Sequence, residues 1–94
     1  MSRSTARIAM ETPTRYLTQL GKHFQHRLPV TLETDHGTID FPGGLCTLDA
    51  VDTHLVIQID AAEPADLTRL QDVVAKHLLR FAFRAPPEID WLAA

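Results

Sequence analysis

The sequence predicts an α+β fold of element order β-α-β-β-β-β-α, with two helices packed on one face of an antiparallel sheet of about five strands. Three observations carry that expectation. Apolar and polar residues alternate over 5–10 and again through most of 30–61, the period of a half-buried strand. Two other stretches, opening at Pro13 and Pro64, repeat their apolar residues at three- and four-residue spacing, the period of an amphipathic helix. The connections inside 30–61 are too short for a crossover, so consecutive strands must be antiparallel neighbours.

In the first strand Ala6, Ile8 and Met10 face one way and Thr5, Arg7 and Ala9 the other. Thr12-Pro13 then marks a helix start: threonine can cap free N–H groups, and proline is pre-set for the first helical position. Leu17, Leu20, Phe24 and Leu28 draw one stripe along this helix, and Pro29 stops it. Val30 and Leu32 alternate with Thr31 and Glu33 before the turn Asp35-His36-Gly37. Ile39 and Phe41 alternate with Thr38 and Asp40 before Pro42-Gly43-Gly44. Cys46, Leu48 and Ala50 follow, and after Asp52-Thr53 the clearest strand sets Leu55, Ile57 and Ile59 against Val56, Gln58 and Asp60. On the second helix Leu67, Leu70, Val73, Val74, His77, Leu78 and Phe81 share a face, and Asp72 and Lys76 form a favourable i,i+4 pair. Pro86-Pro87 ends helical structure, and Ile89 and Trp91 in the tail return to the core or to a sheet edge. This order resembles the TATA-binding-protein-like and helix-grip folds, which by itself assigns no function.

Ninety-four residues, 45% apolar and 22% charged, fit a single domain spanning 1–94 with one ordinary core. A net charge of −3 argues against a nucleic-acid binder, whose footprint is a strongly basic face. The single cysteine permits no internal disulfide, and neither a signal-peptide pattern nor a membrane-length apolar run is present, so a cytoplasmic protein is expected. Phosphate-binding, nucleophile-elbow and zinc-protease motifs are absent, and Gly43-Gly44 leads into a strand rather than a helix. With both helices on one side, the free face of the sheet should carry Arg7, Thr31, Glu33, Thr38, Asp40, Thr47, Asp49, Val56, Gln58 and Asp60, an acidic surface. A cation site of Asp40, Asp49 and Asp60 on that face lacks the loop spacing of calcium sites.

The five histidines are the most informative polar feature. His23 falls about 100° from the centre of the first stripe, at the boundary of core and water, in a row with Tyr16 and Arg27. His26 should be exposed. His77 falls inside the second stripe, where an imidazole needs hydrogen-bond partners and desolvation lowers its pKa. A core histidine held by a strand carbonyl or hydroxyl is the plainer reading, and a pocket-lining ligand or proton-transfer group the sharper one. Arg80 and Arg84 suit the helix dipole and could also hold a ligand's carboxylate or phosphate. Cys46 is either a small core filler or a metal ligand beside His77.

The runs Lys22-His23-Phe24-Gln25-His26-Arg27, His36-Gly37-Thr38-Ile39-Asp40-Phe41 and His77 to Arg84, with 70–74 and Trp91, resemble the small bacterial proteins of the domain of unknown function 2218 family. The likeness covers essentially the whole chain. Ala85 departs from it, standing where the resemblance implies an acidic residue after the arginine. The resemblance brings no activity. It implies an association with siderophore-interacting flavoproteins and so with iron metabolism, and it makes His23, His26, His36 and His77 candidates for a shared site.

These readings favour a non-enzymatic accessory module, a homodimer, binding a small ligand or partner protein through residues among His23, His26, His36, His77, Arg80 and Arg84. No catalytic residue and no cofactor is specified, and neither nucleic acid nor membrane is an expected partner. The alternatives are a metal- or haem-linked protein using His23 and His77, with Cys46 as a further candidate ligand, and a small enzyme with His77 as acid or base.

Overall fold

Two proline-initiated helices lie on one side of a six-stranded antiparallel sheet in the computed structural model, which describes residues 2–82, 84 and 86–93. Met1, Phe83 and Ala85 of the sequence reading lie outside the described residues. The elements in chain order are β1 (Ser2–Ala9), α1 (Pro13–Phe24), β2 (Val30–Leu32), β3 (His36–Phe41), β4 (Gly44–Val51), β5 (His54–Ala61), α2 (Pro64–Phe81) and β6 (Leu92–Ala93). Strands β2 to β5 form a meander. β1 pairs with β5 and carries β6 on its outer edge, giving the order β2-β3-β4-β5-β1-β6.

The register explains why one face is dry. Ala6 pairs with Ile57 and Ile57 with Leu48; Ile39 pairs with Cys46 and Cys46 with Ile59. Because side chains alternate along a strand, these cross-strand rows stack apolar residues on one face only. Leu17 and Leu20 of α1 and Leu70, Val74 and Leu78 of α2 close over them in one continuous cluster. Each such fully buried aliphatic side chain contributes roughly 1.5–3 kcal/mol. The one buried polar side chain among the described residues, Ser4, accepts a hydrogen bond from Gln71 Nε2 at 2.8 Å, which ties β1 to α2.

The β3–β4 turn packs against α2. Pro42 and Gly43 form its two central residues, and Gly43 takes φ 93°, a conformation L side chains rarely adopt. Arg69 of α2 donates to the Pro42 carbonyl at 2.7 Å. At Gly44 a Cβ would stand 2.7 Å from Leu70 Cδ1 and from the Asp60 carbonyl, so the bare glycine lets α2 approach the sheet.

Several expectations need correction. The sheet has a sixth strand, a two-residue pairing of Leu92 and Ala93 with Thr5 and Ser4, while Ile89 and Trp91 pack partly buried against the core. The first helix ends at Phe24 rather than near Leu28, because the Phe24 carbonyl receives both Arg27 N–H and Leu28 N–H and the residue before Pro29 is disfavoured in α geometry. Thr12 occupies the N-cap position of α1 without a side-chain cap bond. The open face is mixed rather than acidic. Arg3 lies on it and pairs with Asp60, whose carboxyl is held below the usual range by that hydrogen bond, and His36 pairs with Asp49 at 2.6 Å. Asp40 and Asp60 flank Leu45 in one cross-strand row while Asp49 lies on the row of His36 and Val56, so the three carboxylates do not converge.

Candidate functional site

The helices run antiparallel along their contact: Arg15 and Tyr16 of α1 lie beside Phe81 and Arg84, and His23 and Phe24 lie beside His77. At the C-terminal end of α1 this crevice opens into a cleft of about 470 Å³ lined by His23, Phe24, His26, Arg27, Leu28 and His77. The early end of α1 makes the cleft. After the C-cap at Gln25 the chain turns, and His26, Arg27 and Leu28 line the mouth, while Phe24, in edge contact with Phe41 at 5.1 Å, gives it an apolar floor.

His77 and His23 form the centre of the site. Their ring centroids are 4.7 Å apart, with Phe24 4.9 Å from His77 and Phe81 5.7 Å from His23. The Nδ1 of His77 lies 2.7 Å from the Val73 carbonyl oxygen of its own helix. A carbonyl can only accept, so Nδ1 carries the hydrogen, and in the neutral form of the ring the lone pair is on Nε2. The sequence reading of a core histidine tied to a strand is thereby corrected. His77 is half-buried, because the most buried line of α2 runs through Leu70, Val74 and Leu78, one row away. Burial pushes the His23 pKa below its ordinary value, and the nearby His77, Arg80 and His26 charges push it the same way.

The other candidates separate. His26 lines the mouth of the cleft, and Arg80 acts on His23 through its charge. Arg84 lies farther along the crevice, in a second pocket. His36 is on the opposite side of the sheet, where hydrogen bonding to Asp49 raises its pKa. Cys46 is sealed in the core with its thiol pushed up to about 12, so it cannot offer a thiolate to His77. Among the described residues no three of His, Cys, Asp and Glu converge on a metal position. Sequence reasoning missed Arg27, Leu28 and Phe24 as lining residues. The row of Tyr16, His23 and Arg27 carried the signal, but the meeting of two helices was needed to read it.

Residues 5–92 match a family described as an uncharacterized protein conserved in bacteria, DUF2218. The chain belongs to this family. The DUF2218 chain is also similar to a solved structure titled "NMR structure of PA4090 from Pseudomonas aeruginosa", with a TM-score of 0.83 and 36% identity over 98% of this chain and 96% of that one. No curated protein matches it. The cleft residues His23 to Leu28 and His77 all lie inside the DUF2218 match.

Proposed function

We propose that this DUF2218 domain is a non-enzymatic accessory module that binds a small aromatic anion in the cleft between its helices. The observation that carries this reading is the lining itself: two imidazoles, a third histidine and a guanidinium residue around the apolar Phe24 and Leu28, with no acidic residue among them. Flat aromatic ligands stack on such rings, and a guanidinium matches a carboxylate in two parallel hydrogen bonds. The cleft volume of about 470 Å³ suits a small molecule. The described lining also has no hydroxyl, thiol or carboxyl to work with His77, which favours binding over proton-transfer chemistry. Catecholate acids of siderophores are one ligand class with this chemistry, in keeping with the iron setting implied by the family resemblance.

The test is titration with 2,3-dihydroxybenzoate followed by two-dimensional NMR. Saturable shifts confined to His23–Leu28 and the His77 turn are expected. An unperturbed spectrum at millimolar ligand would refute the reading.

A second reading is favoured by one contact. Donation of His77 Nδ1–H to a backbone carbonyl is the arrangement that orients metal-binding imidazoles, leaving Nε2 to ligate. His23 would supply a second nitrogen and the bound anion the remaining donors. Titration with Zn(II), Fe(III) and haem, each with and without 2,3-dihydroxybenzoate, decides it: tighter metal binding in the presence of the acid supports this reading, and no binding in any combination removes it.

A further inference from the structure

We infer that the uncapped edge of the sheet is a self-association surface: two copies of this chain join antiparallel along β2, about a two-fold axis at Thr31, into one continuous sheet. β2 ends the strand order, whereas the opposite edge, at β1, is covered by β6. Main-chain bonds fix which groups the β2 edge presents. The Pro29 carbonyl accepts from Asp40 N–H at 3.0 Å and Glu33 N–H donates to the His36 carbonyl at 2.8 Å, so residues 29, 31 and 33 turn their polar groups towards β3. The Thr31 carbonyl agrees, standing 3.2 Å from where a Cβ on Gly37 would be. By alternation the N–H and C=O groups of Val30 and Leu32 point outward, and no other element or side chain among the described residues bonds to them. Edge strands are ordinarily guarded by lysines, prolines or bulges. β2 has no lysine and an unbroken register, and the N–H that Pro29 lacks is on the β3 side, so the outer edge stays open.

Charge complementarity selects a second copy as the occupant. His26 and Arg27 precede β2, and Glu33 and Asp35 follow it. A two-fold axis at Thr31 lays the basic end of each strand along the acidic end of the other, so the charges match twice. Arg27 and Glu33 are exposed and have no ion-pair partner among the described residues. Arg27 also lines the cleft, and its five N–H donors can serve a ligand carboxylate and Glu33 of the second copy together. In this register Val30 exchanges both main-chain hydrogen bonds with Leu32 of the second copy, and their partly buried side chains meet on the helix side as apolar cross-strand pairs. The Thr31 pair on the axis is not hydrogen-bonded, and its Cα atoms stand about 4.5 Å apart. A seam of three residues makes the dimer weak and concentration-dependent.

Sedimentation of the intact chain between micromolar and millimolar concentration, with amide exchange followed by NMR, tests the seam. A monomer–dimer equilibrium is expected, with exchange at Val30 and Leu32 slowing as the dimer fills. A mixture of isotope-labelled and unlabelled chains should show an intermolecular NOE between the Thr31 Hα protons. Thr31→Lys sets like charges opposite each other at an exposed position and should leave a monomer at every concentration, its NMR spectrum reporting that the fold is kept. Glu33→Lys should weaken the dimer about tenfold through the two exposed charge pairs it breaks, and Arg27→Glu/Glu33→Lys should restore it. A monomer at millimolar concentration, a dimer that survives Thr31→Lys, or a dimer whose Val30 and Leu32 amides exchange as fast as in the monomer overturns the inference. Each of these results leaves the cleft reading standing.

Discussion

Replacing His77 by alanine separates a binding role from a structural one, and the structure sets the size of each. The imidazole contributes one hydrogen bond at 2.7 Å to Val73 and ring contacts with His23 and Phe24 at 4.7 and 4.9 Å. Loss of the ring contacts costs roughly 0.5–1.5 kcal/mol. The hydrogen bond adds about 0.5 kcal/mol, the low end of the usual range, because the bond is only part-buried and water can replace the imidazole at the Val73 carbonyl. Alanine returns about 0.5 kcal/mol in helix propensity. The net destabilisation is therefore about 1 kcal/mol, or roughly 4–8 °C in Tm for a domain of this size. The neighbouring Leu78→Ala, which empties a fully buried site, should cost about 2–5 kcal/mol and serves as the contrast. Urea unfolding measures both. The same variant should raise the His23 pKa towards its ordinary value, because losing the His77 ring lets water reach His23 and removes a repelling charge. A loss above about 3 kcal/mol would make His77 a core residue rather than a lining one. An unmoved His23 titration would mean that the two rings do not meet in solution.

Two histidines should bend the pH profile of stability in opposite directions. His36 has a raised folded pKa, so its pairing with Asp49 stabilises fully below about pH 6.5 and is lost as pH rises through the folded value. Both partners are over a third exposed, so the effect is about 0.2–1 kcal/mol at most and should disappear in Asp49→Asn, as read from urea midpoints between pH 5 and 8. His23 has a lowered folded pKa, so its contribution is intact above about pH 6.5 and declines as pH falls through the folded value; His23→Gln should flatten that decline. Cys46 should resist Ellman's reagent at pH 8 in the native protein and react promptly in denaturant, whereas rapid native reaction would place it outside the core. Gly43→Ala should cost about 1–2 kcal/mol from backbone strain alone. The new Cβ also meets Asp66 and Arg69 at 2.9 Å, and an unchanged midpoint would show that the turn has another shape.

The sheet and helices were legible because their signals are local and repetitive. Leu55, Ile57 and Ile59 can face one way only on an extended chain, and the two-residue turns leave no pairing but an antiparallel one. What was not legible depends on tertiary packing. Two residues pair to make β6, too few for any period, and their partner strand is nearly ninety residues earlier in the chain. The end of α1 at Phe24 reflects competition between a continuing apolar stripe and the restriction ahead of Pro29, and the stripe gives the wrong answer. Arg3 joined the open face because β1 begins before its alternation becomes clear. The candidate site divides in the same way. The boundary position of His23 follows from helical phase, but its contact with His77 requires the antiparallel packing of two helices more than fifty residues apart, which no spacing encodes. The histidine count led equally to His36, which the sheet carries to its other face.

Intermolecular NOEs from the ring protons of bound 2,3-dihydroxybenzoate bear most directly on the idea that the crevice between α1 and α2 is the working surface. Cross-peaks to Phe24, Leu28 and His77 are predicted. Cross-peaks to Thr47, Val56 or Gln58 on the open face of the sheet would contradict it.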